Sequence, residues 1–374
     1  MLIKRHIEPH ARQALKDGLV TILYGARQVG KTTLAKQIMA SYPDSIYLNC
    51  DDPLVALNLT NKSAIELKSY IGDTKFVVID EAQRIENIGI TLKLIHDTYP
   101  DIMLLVTGSS SLDLANKITE PLTGRSVEIN LFPLSIQEVS KNQTENQGHS
   151  NIMLVRGGYP GMWHISAQKA YDKLDKLSND YVFRDAFLPN SSYDQTIIND
   201  LLRILAYQLG QEVNYSELGN KLSISKDTVA RYIDLLEKAF IIFKRNQYRR
   251  NERSEVGRLR KVYFIDLGVR NAIIGNFKPL QLREDTGALW ENFCVIERLK
   301  FLQSKQRRVR SYYWRNNDQQ EIDIIEEETD TIRAFECKYS DKKSAKVPTG
   351  YITKYPNSSF SVVNPKTFNT EILS

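Results

Sequence analysis

A glycine-rich segment near the amino terminus carries a lysine and a hydroxyl residue, Gly-Ala-Arg-Gln-Val-Gly-Lys-Thr from Gly25 to Thr32. It matches G-x-x-x-x-G-K-[ST], a pattern whose glycines let backbone N–H groups converge on phosphate oxygens. In this pattern Lys31 reaches the β and γ phosphates, and Thr32 ligates magnesium. An apolar run that ends at Tyr24 and a helical pattern that begins near Lys31 flank the segment, as the motif requires. The segment therefore predicts a site for ATP and Mg²⁺.

A second segment places two carboxylates directly after an apolar run, Phe76-Val-Val-Ile-Asp-Glu81. Beside a P-loop, Asp80 would lie in the magnesium shell, and Glu81 would activate the attacking water as a base. A solvated acidic turn after a buried strand is the alternative interpretation. The predicted nucleotide-binding residues are Gly25, Gln28, Val29, Gly30, Lys31, Thr32, Thr33 and Asp80, of which Thr32 and Asp80 hold the metal.

Polar residues follow a third apolar run, which extends from Ile102 to Thr107. We predict that Ser109 senses the γ-phosphate or orients water, with Thr107 and Ser110 as alternatives, although serines after a strand also serve as turn residues. Arg125 precedes the last apolar run of this region and is a candidate finger for a neighbouring subunit's site, or else one half of a surface ion pair. The finger interpretation implies a homo-oligomer.

The order of these motifs resembles the AAA+ class of P-loop ATPases, and one bacterial and archaeal branch in particular. The resemblance rests on Tyr-Gly-Ala-Arg-Gln-Val-Gly-Lys-Thr-Thr, Val-Ile-Asp-Glu-Ala-Gln, Thr-Gly-Ser-Ser-Ser and Leu-Thr-Gly-Arg, followed by Phe-Pro-Leu-Ser. It extends through Arg-Gly-Gly-Tyr-Pro at Arg156–Pro160 to the last strands. It implies a downstream domain of restriction-endonuclease type whose function is unknown.

Strand-like and helical patterns must position these motifs. Five apolar runs alternate with helical patterns between Leu19 and Leu131, which predicts a parallel sheet covered on both faces. The polar stretch Ser140 to Ser150 reads as an exposed loop that ends this domain. We predict an α/β chain with a P-loop AAA+ domain (1–145), a helical linker or lid (146–210), a winged helix-turn-helix (211–275) and an α/β endonuclease-like domain (276–374).

A helix-turn-helix is predicted from Tyr215 onward. Ser216 would cap a first helix that ends at Leu222, and a recognition helix would run from Lys226 to Phe240. Leu218, Leu222, Val229, Ile233 and Leu236 are expected to face inward, whereas Lys226, Asp227, Thr228, Arg231 and Tyr232 are expected near the outer face. Paired strands then enclose a basic wing from Lys244 to Lys261, with Arg245, Arg249, Arg250, Arg253, Arg258 and Arg260 between these two lysines. DNA is the predicted partner, and a protein-packing element is the alternative.

Near the carboxyl terminus, Asp323 precedes an acidic turn, and Glu336 and Lys338 follow it. Alternation along two adjacent strands places Glu336 and Lys338 on one face. Two carboxylates can hold magnesium at a scissile phosphate while a lysine acts on water, and Glu291 offers a third oxygen. The arrangement resembles PD-(D/E)xK nucleases, which implies Asp323, Glu336 and Lys338 as catalytic residues and Glu291, Asp323 and Glu336 as metal ligands. A surface charge ladder, or a nuclease fold kept only for binding, is the alternative.

Composition sets the remaining bounds. The chain has 374 residues, 50 basic against 45 acidic, and a net charge of +5, which is compatible with nucleic acid without indicating it. No apolar run approaches the length of a membrane span, and the start lacks a secretory signal, so we expect a cytoplasmic protein that does not enter membranes. The leading hypothesis is a magnesium-dependent ATPase that engages DNA. The alternative is a nucleotide-dependent switch or assembly scaffold without nuclease activity.

Overall fold

A computed structural model describes residues 3–108, 122–140, 142–184, 194–249, 259–329, 331–342 and 345–374. The chain divides into two compact units, one formed by residues 1–134 with 238–240 and the other by 135–237 with 241–374. The domain limits predicted at 145, 210 and 275 stay predictions. No helix among the described residues is long and apolar enough to cross a lipid bilayer.

The first unit contains a sheet of five parallel strands in the order β2-β3-β4-β1-β5. The strands are β1 (Val20–Tyr24), β2 (Ser45–Asn49), β3 (Phe76–Asp80), β4 (Met103–Gly108) and β5 (Ser126–Asn130). Every residue of β1 and β3 is buried, because helices cover both faces of a parallel sheet. The predicted parallel sheet is confirmed, and three strands, β2, β4 and β5, differ by one residue from the apolar runs predicted for them, Ser45 to Leu48, Ile102 to Thr107 and Val127 to Leu131.

The described part of this unit has five α-helices: α1 (Glu8–Lys16), α2 (Lys31–Met39), α3 (Pro53–Leu59), α4 (Ala64–Ile71) and α5 (Ile88–Thr98). Apolar side chains from α4 and α5 pack against those of the strands in one core, together with Leu59 at the end of α3. Since all five strands are parallel, their carboxyl ends meet at one edge of the sheet, where the P-loop follows β1.

The second unit begins with helices: α6 (Ile136–Val139), α7 (Gln143–Arg156), α8 (Ala167–Arg184) and α9 (Gln195–Tyr207). The exposed loop predicted for Ser140 to Ser150 is wrong, because α7 begins inside it. The Asn142 side chain accepts a hydrogen bond from the Glu145 N–H at 2.9 Å and so caps this helix, and buried Met153 and Leu154 anchor its last turns. The first half of α7 is polar and its apolar residues lie in the second half, so the sequence pattern of the first half does not indicate a helix.

A buried carboxylate fixes the end of α7. Gly157 has φ +70°, and Asp266 accepts a hydrogen bond from the Gly158 N–H at 2.7 Å and caps α12 (Leu267–Ile273) through Val269 N–H. A Cβ on Gly157 would overlap the Asp266 carboxylate. Nearby, Asp285 pairs with the guanidinium groups of two buried arginines, Arg270 at 2.5 Å and Arg283 at 2.8 Å.

Two further helices form a helix-turn-helix, α10 (Tyr215–Leu222) and α11 (Lys226–Lys238). Asn214, not Ser216, caps α10, since its side chain accepts hydrogen bonds from the backbone N–H groups of residues 216 and 217. Tyr232 was expected on the outer face but is buried, and its hydroxyl accepts a hydrogen bond from Asp194 N–H. Leu218, Val229, Ile233 and Leu236 are buried as predicted, whereas Leu222 is half-buried.

Two small sheets lie among the described residues of the second unit. A three-stranded antiparallel sheet has the order β6-β8-β7, with β6 (Glu212–Val213), β7 (Ile242–Asn246) and β8 (Arg260–Phe264). A four-stranded mixed sheet has the order β12-β11-β10-β9, with β9 (Arg310–Arg315), β10 (Glu321–Glu328), β11 (Thr331–Cys337) and β12 (Ser359–Val363). The helices α13 (Thr286–Ser304), α14 (Thr349–Lys354) and α15 (Phe368–Ile372) accompany this sheet.

Candidate functional sites

The P-loop joins β1 to α2 through backbone conformations that few residues adopt. Gly30 has φ +100° and is the residue before α2, while Gln28 has φ +60°. A Cβ on Gly25 would overlap the Leu131 carbonyl oxygen, so only glycine fits where the loop leaves β1. The Lys31 ammonium donates hydrogen bonds to the Gly25 and Ala26 carbonyls at 2.9 and 3.0 Å. The lysine is therefore folded against the loop that would hold the phosphates.

Three hydroxyl groups hold the Asp80 carboxylate at the carboxyl end of β3. Thr32 donates to Oδ2 at 2.9 Å, Tyr47 donates to the same oxygen, and Thr107 donates to Oδ1. Asp80 is buried, and so is Thr107. Burial together with the hydrogen bond to Asp80 raises the pKa of Tyr47 far above its usual value, so the phenol remains a donor. The predicted pair Thr32 and Asp80 thus meets at one point, as an oxygen site for Mg²⁺ requires.

Glu81 follows Asp80 in a left-handed conformation with φ +55°. Its N–H donates to the Thr107 hydroxyl at 3.3 Å, and its carboxylate accepts a hydrogen bond from the Gln83 amide. A left-handed backbone conformation at a non-glycine residue costs about 1–2 kcal/mol, and such residues cluster at functional sites. The carboxylate is half-buried beside Asp80, where a base for water would lie.

Two predicted residues of this domain remain, Ser109 and Arg125. Ser109 and its alternative Ser110 lie outside the described residues, whereas Thr107 contacts Asp80 directly. Arg125 directly precedes β5, at the amino ends of the strands, and its guanidinium pairs with Asp97 at 2.7 Å. Five strand residues at about 3.3 Å each separate that edge from the P-loop, so Arg125 takes no part in its own chain's site. Its role in a neighbouring subunit stays a prediction.

The carboxyl-terminal carboxylates lie on two paired strands. In the antiparallel register of β10 and β11, Ile324 faces Phe335, and Asp323 and Glu336 are the next residues along the two strands. The Lys338 ammonium donates to Glu336 Oε1 at 2.5 Å, and Cys337 N–H donates to Asp323 Oδ2 at 2.8 Å. Burial and the Asp323 charge raise the pKa of Glu336 to about 7. Asp323, Glu336 and Lys338 therefore share one place, well inside the roughly 10 Å that one metal with ~2.1 Å bonds can bridge.

A lysine from the adjacent three-stranded sheet enters this cluster. Ligand oxygens of Glu291, Glu321 and Asp323 lie within 4.8 Å of one another. The Lys261 ammonium lies 2.9 Å from Glu291 Oε1 and 3.7 Å from Asp323 Oδ1, and it also contacts Glu321. Burial and the Asp323 charge raise the pKa of Glu291 to about 7, because one ammonium does not offset three carboxylates. Glu291 was predicted as a metal ligand, yet here it accepts hydrogen bonds from Lys261 and Tyr263.

Three described cations of the predicted basic wing are buried or paired with carboxylates. Arg245 and Lys261 are buried, and Lys244 pairs with Asp234 and Glu237 of α11. These three side chains are buried or form ion pairs with carboxylates. The number of basic residues in the sequence does not show this difference. Arg260 lies over the Tyr215 ring, and Arg249 is exposed. Arg250, Arg253 and Arg258 lie outside the described residues.

Comparisons with known families divide the chain into three parts. Residues 17–140 match a family described as an AAA domain. The amino-terminal unit contains an AAA-type P-loop ATPase domain. Residues 149–280 and 286–373 match two families that are each described as a domain of unknown function, DUF8612 and DUF4143. The AAA domain is thus followed by helical and further α/β regions whose families carry no described activity.

Similar proteins share most of the chain. An uncharacterized protein of Mycobacterium tuberculosis is 27% identical over 343 residues, which cover 90% of this chain and 74% of that protein. One from Haemophilus influenzae is 26% identical over 339 residues and covers 84% and 80%. Among solved structures, a Walker-type ATPase of Pyrococcus abyssi has a TM-score of 0.51 at 18% identity, covering 73% of this chain and 96% of that one. This likeness supports the fold of the AAA domain and its surroundings.

Sequence reasoning missed four residues of the two sites. Glu321 had a signal, since it stands two residues before Asp323 in a strand and therefore shares its face. Tyr47 and Lys261 had none, because each reaches its carboxylate from another strand. Arg5 had none either: it is buried, and its guanidinium donates to the Val29 carbonyl at 2.8 Å and so supports the P-loop from the amino-terminal segment.

Proposed function

We propose that the AAA domain hydrolyses ATP with magnesium. The observation that carries this proposal is the contact between the Thr32 hydroxyl and Asp80 Oδ2 at 2.9 Å beside the P-loop. Thr32 and Asp80 are the residues that would hold Mg²⁺, and their oxygens are donors that this ion prefers. Bound there, the ion would offset the charge of the β and γ phosphates.

The protein's own residues divide the remaining work. Lys31 exchanges its two carbonyl partners for phosphate oxygens, and the P-loop N–H groups orient the phosphates. Glu81 accepts a proton from the attacking water, and the left-handed turn keeps its carboxylate beside Asp80. Thr107 and Tyr47 fix the orientation of Asp80.

Two substitutions test these roles by nucleotide binding and phosphate release. Lys31→Ala should abolish ATP binding, whereas Glu81→Gln should bind ATP and stop turnover, because the amide keeps the shape and loses the base. Glu86→Gln makes the same change at an exposed glutamate and should behave as wild type. Full turnover by the Glu81 variant would exclude it as the base.

We further propose that ATP turnover controls the engagement of DNA by the helix-turn-helix. In support, Lys226 and Arg231 are exposed on α11, the longer helix of the pair. Cations on an exposed helix suit contacts with phosphates. DNA would then act as an effector of the ATPase rate.

The test compares ATPase rates with and without single-stranded, duplex and branched DNA. The charge-reversed pair Lys226→Glu and Arg231→Glu should lose DNA stimulation and lower the slope of log affinity against log salt by about 1 per lost phosphate contact. The pair Lys169→Glu and Lys176→Glu changes charge equally at exposed lysines of α8 and is the control. Equal loss in both pairs would contradict a site on α11.

We also propose an endonuclease-like site in the second unit, and one observation supports it. Among the described residues, Glu336 Oε2 is a buried oxygen without a hydrogen-bond partner, and it lies beside Asp323. Asp323 and Glu336 would hold a divalent ion that polarises a phosphodiester, and Lys338 would position water. Asp323→Ala and Lys338→Ala should abolish nicking of supercoiled, linear or branched DNA with Mg²⁺ or Mn²⁺. A wild-type protein that binds DNA without nicking any of them would rule out cleavage.

The second candidate is a nucleotide-dependent switch or scaffold without nuclease activity. It is favoured by the burial of Arg245 and Lys261 and by the ion pairs of Lys244 with Asp234 and Glu237, which leave three fewer free cations on the surface that would meet DNA. An ATPase rate that no form of DNA alters, with nucleotide-dependent assembly in ultracentrifugation, would select this candidate.

A further inference from the structure

We propose that Lys261 is a built-in cation at the carboxyl-terminal carboxylate cluster and takes the place of one divalent ion there. The proposal deepens the proposed Asp323–Glu336 cation site. It assigns that site at most one divalent ion, with Lys261 as a positioning residue that fills the second position. Lys261 stands on β8, outside the four-stranded sheet that carries Asp323.

The dimensions of the cluster are those of a single cation's ligand shell. Oxygens on opposite sides of Mg²⁺ or Ca²⁺ are separated by about twice a metal–oxygen bond of ~2.1–2.4 Å. The oxygens of Glu291, Glu321 and Asp323 all lie within 4.8 Å of one another. The Lys261 ammonium already lies among them, 2.9 Å from Glu291 Oε1 and 3.7 Å from Asp323 Oδ1.

The surroundings of Lys261 keep its ammonium in this position. Its side chain is 1% exposed, so withdrawal from the carboxylates would leave a buried charge unpaired. The Tyr313 ring lies 5.6 Å from the ammonium, and the Tyr263 hydroxyl donates to the same Glu291 oxygen at 2.8 Å. The Tyr313 ring and the acceptor that Lys261 shares with Tyr263 therefore hold the ammonium among the carboxylates.

The partners of the carboxylates show which oxygens are left for a metal. Glu291 and Glu321 contact the ammonium, and Asp323 Oδ2 accepts from Cys337 N–H. Within the described part of the chain, Glu336 Oε2 has no hydrogen-bond partner, and Asp323 Oδ1 is 3.7 Å from Lys261. These two oxygens suffice for one divalent ion together with water or phosphate oxygens, which Mg²⁺ commonly keeps.

The test counts Mn²⁺ bound per full-length chain without nucleotide, by electron paramagnetic resonance of the free ion. Lys261→Met keeps the length of the side chain, removes its charge and should bind one Mn²⁺ more than wild type. Lys244→Met removes a lysine of the neighbouring strand β7 that also pairs with two carboxylates, those of Asp234 and Glu237 on α11, and it should leave the count unchanged. A folded Lys261→Met protein with the wild-type count would overturn the proposal.

A second variant keeps the test decisive if Lys261→Met does not fold. Glu291→Gln should leave the Mn²⁺ count and affinity of the protein unchanged, because Lys261 and not a metal is its partner; a loss of Mn²⁺ would overturn the proposal. Asp323→Asn separates the two ideas. If Asp323→Asn binds as many Mn²⁺ ions as wild type does, the proposed Asp323–Glu336 site fails. In that case one ion gained by Lys261→Met would still support the built-in cation.

Discussion

The Thr107 hydroxyl should control how well Asp80 serves the magnesium site. In Thr107→Val the side chain keeps its shape but loses the hydrogen bond to Asp80 Oδ1 and the weaker one accepted from Glu81 N–H, while the Thr32 and Tyr47 hydroxyls remain on Oδ2. A hydrogen bond to a charged group contributes about 1.5–3 kcal/mol. At about 1.4 kcal/mol for each factor of ten, we expect the ATPase kcat/KM to fall by about 10- to 150-fold.

The assay follows steady-state phosphate release while ATP and Mg²⁺ are varied separately. Because the lost bond orients a carboxylate of the metal site, the Mg²⁺ concentration for half-maximal rate should rise. Thr107→Ser keeps the hydroxyl and should restore most of the rate. Thr91→Val is the matched control, since Thr91 is also buried but donates to the Leu59 carbonyl at 3.0 Å, away from Asp80. Equal loss of rate in the Thr91 and Thr107 variants, or none in the latter, would refute the reasoning.

Three further predictions concern assembly and stability. If Arg125 acts across an interface, mixing Arg125→Ala with Glu81→Gln protein should restore part of the ATPase rate through hybrid sites, and no rescue in mixtures shown to co-assemble would argue against it. Gly157→Ala should lower the free energy of unfolding by about 3 kcal/mol, because its φ is +70° and the new Cβ meets a buried carboxylate, whereas Gly161→Ala, with open space around it, should cost little in the same urea titration. Against the opposing effect of burial, two arginines lower the pKa of Asp285 from 3.8 to about 2, so its stabilisation is present above pH 3.8 and is lost as the pH falls through 2. Asp285→Asn should therefore cost about 2–3 kcal/mol at pH 7, and this difference from wild type should shrink between pH 4 and pH 2.

Local signals explain why the AAA domain was predictable. Buried parallel strands such as β1 and β3 are continuous apolar runs, and the turns after them must carry the polar residues that reach solvent. The P-loop and the Asp80–Glu81 pair lie at such turns, so pattern and site coincide in the sequence. The paired strands that bring Asp323 close to Glu336 were also predictable from a local signal, because a short turn joins them in the sequence.

Other features depend on partners that are distant in sequence. The polar first half of α7 resembles a loop until the burial of Met153 and Leu154 is known. Likewise, Lys261 looks like one more wing cation, and only the fold shows that its neighbours are Glu291 and Asp323. A count of charges along the chain cannot separate solvated cations from paired ones, since the distinction is made by burial.

The two carboxylate sites differ in the charge of the groups that hold them. Asp80 is held by the hydroxyls of Thr32, Thr107 and Tyr47, which orient the carboxylate and leave its negative charge uncompensated for a cation. The ammonium of Lys261 also orients carboxylates, but it cancels one negative charge and occupies their centre. In our proposal, the neutral donors prepare the amino-terminal site for Mg²⁺, whereas the charged donor limits what the carboxyl-terminal cluster can bind. If the second unit performs the proposed metal chemistry, that chemistry depends on Lys261, because its ammonium competes with a divalent ion for the same carboxylates.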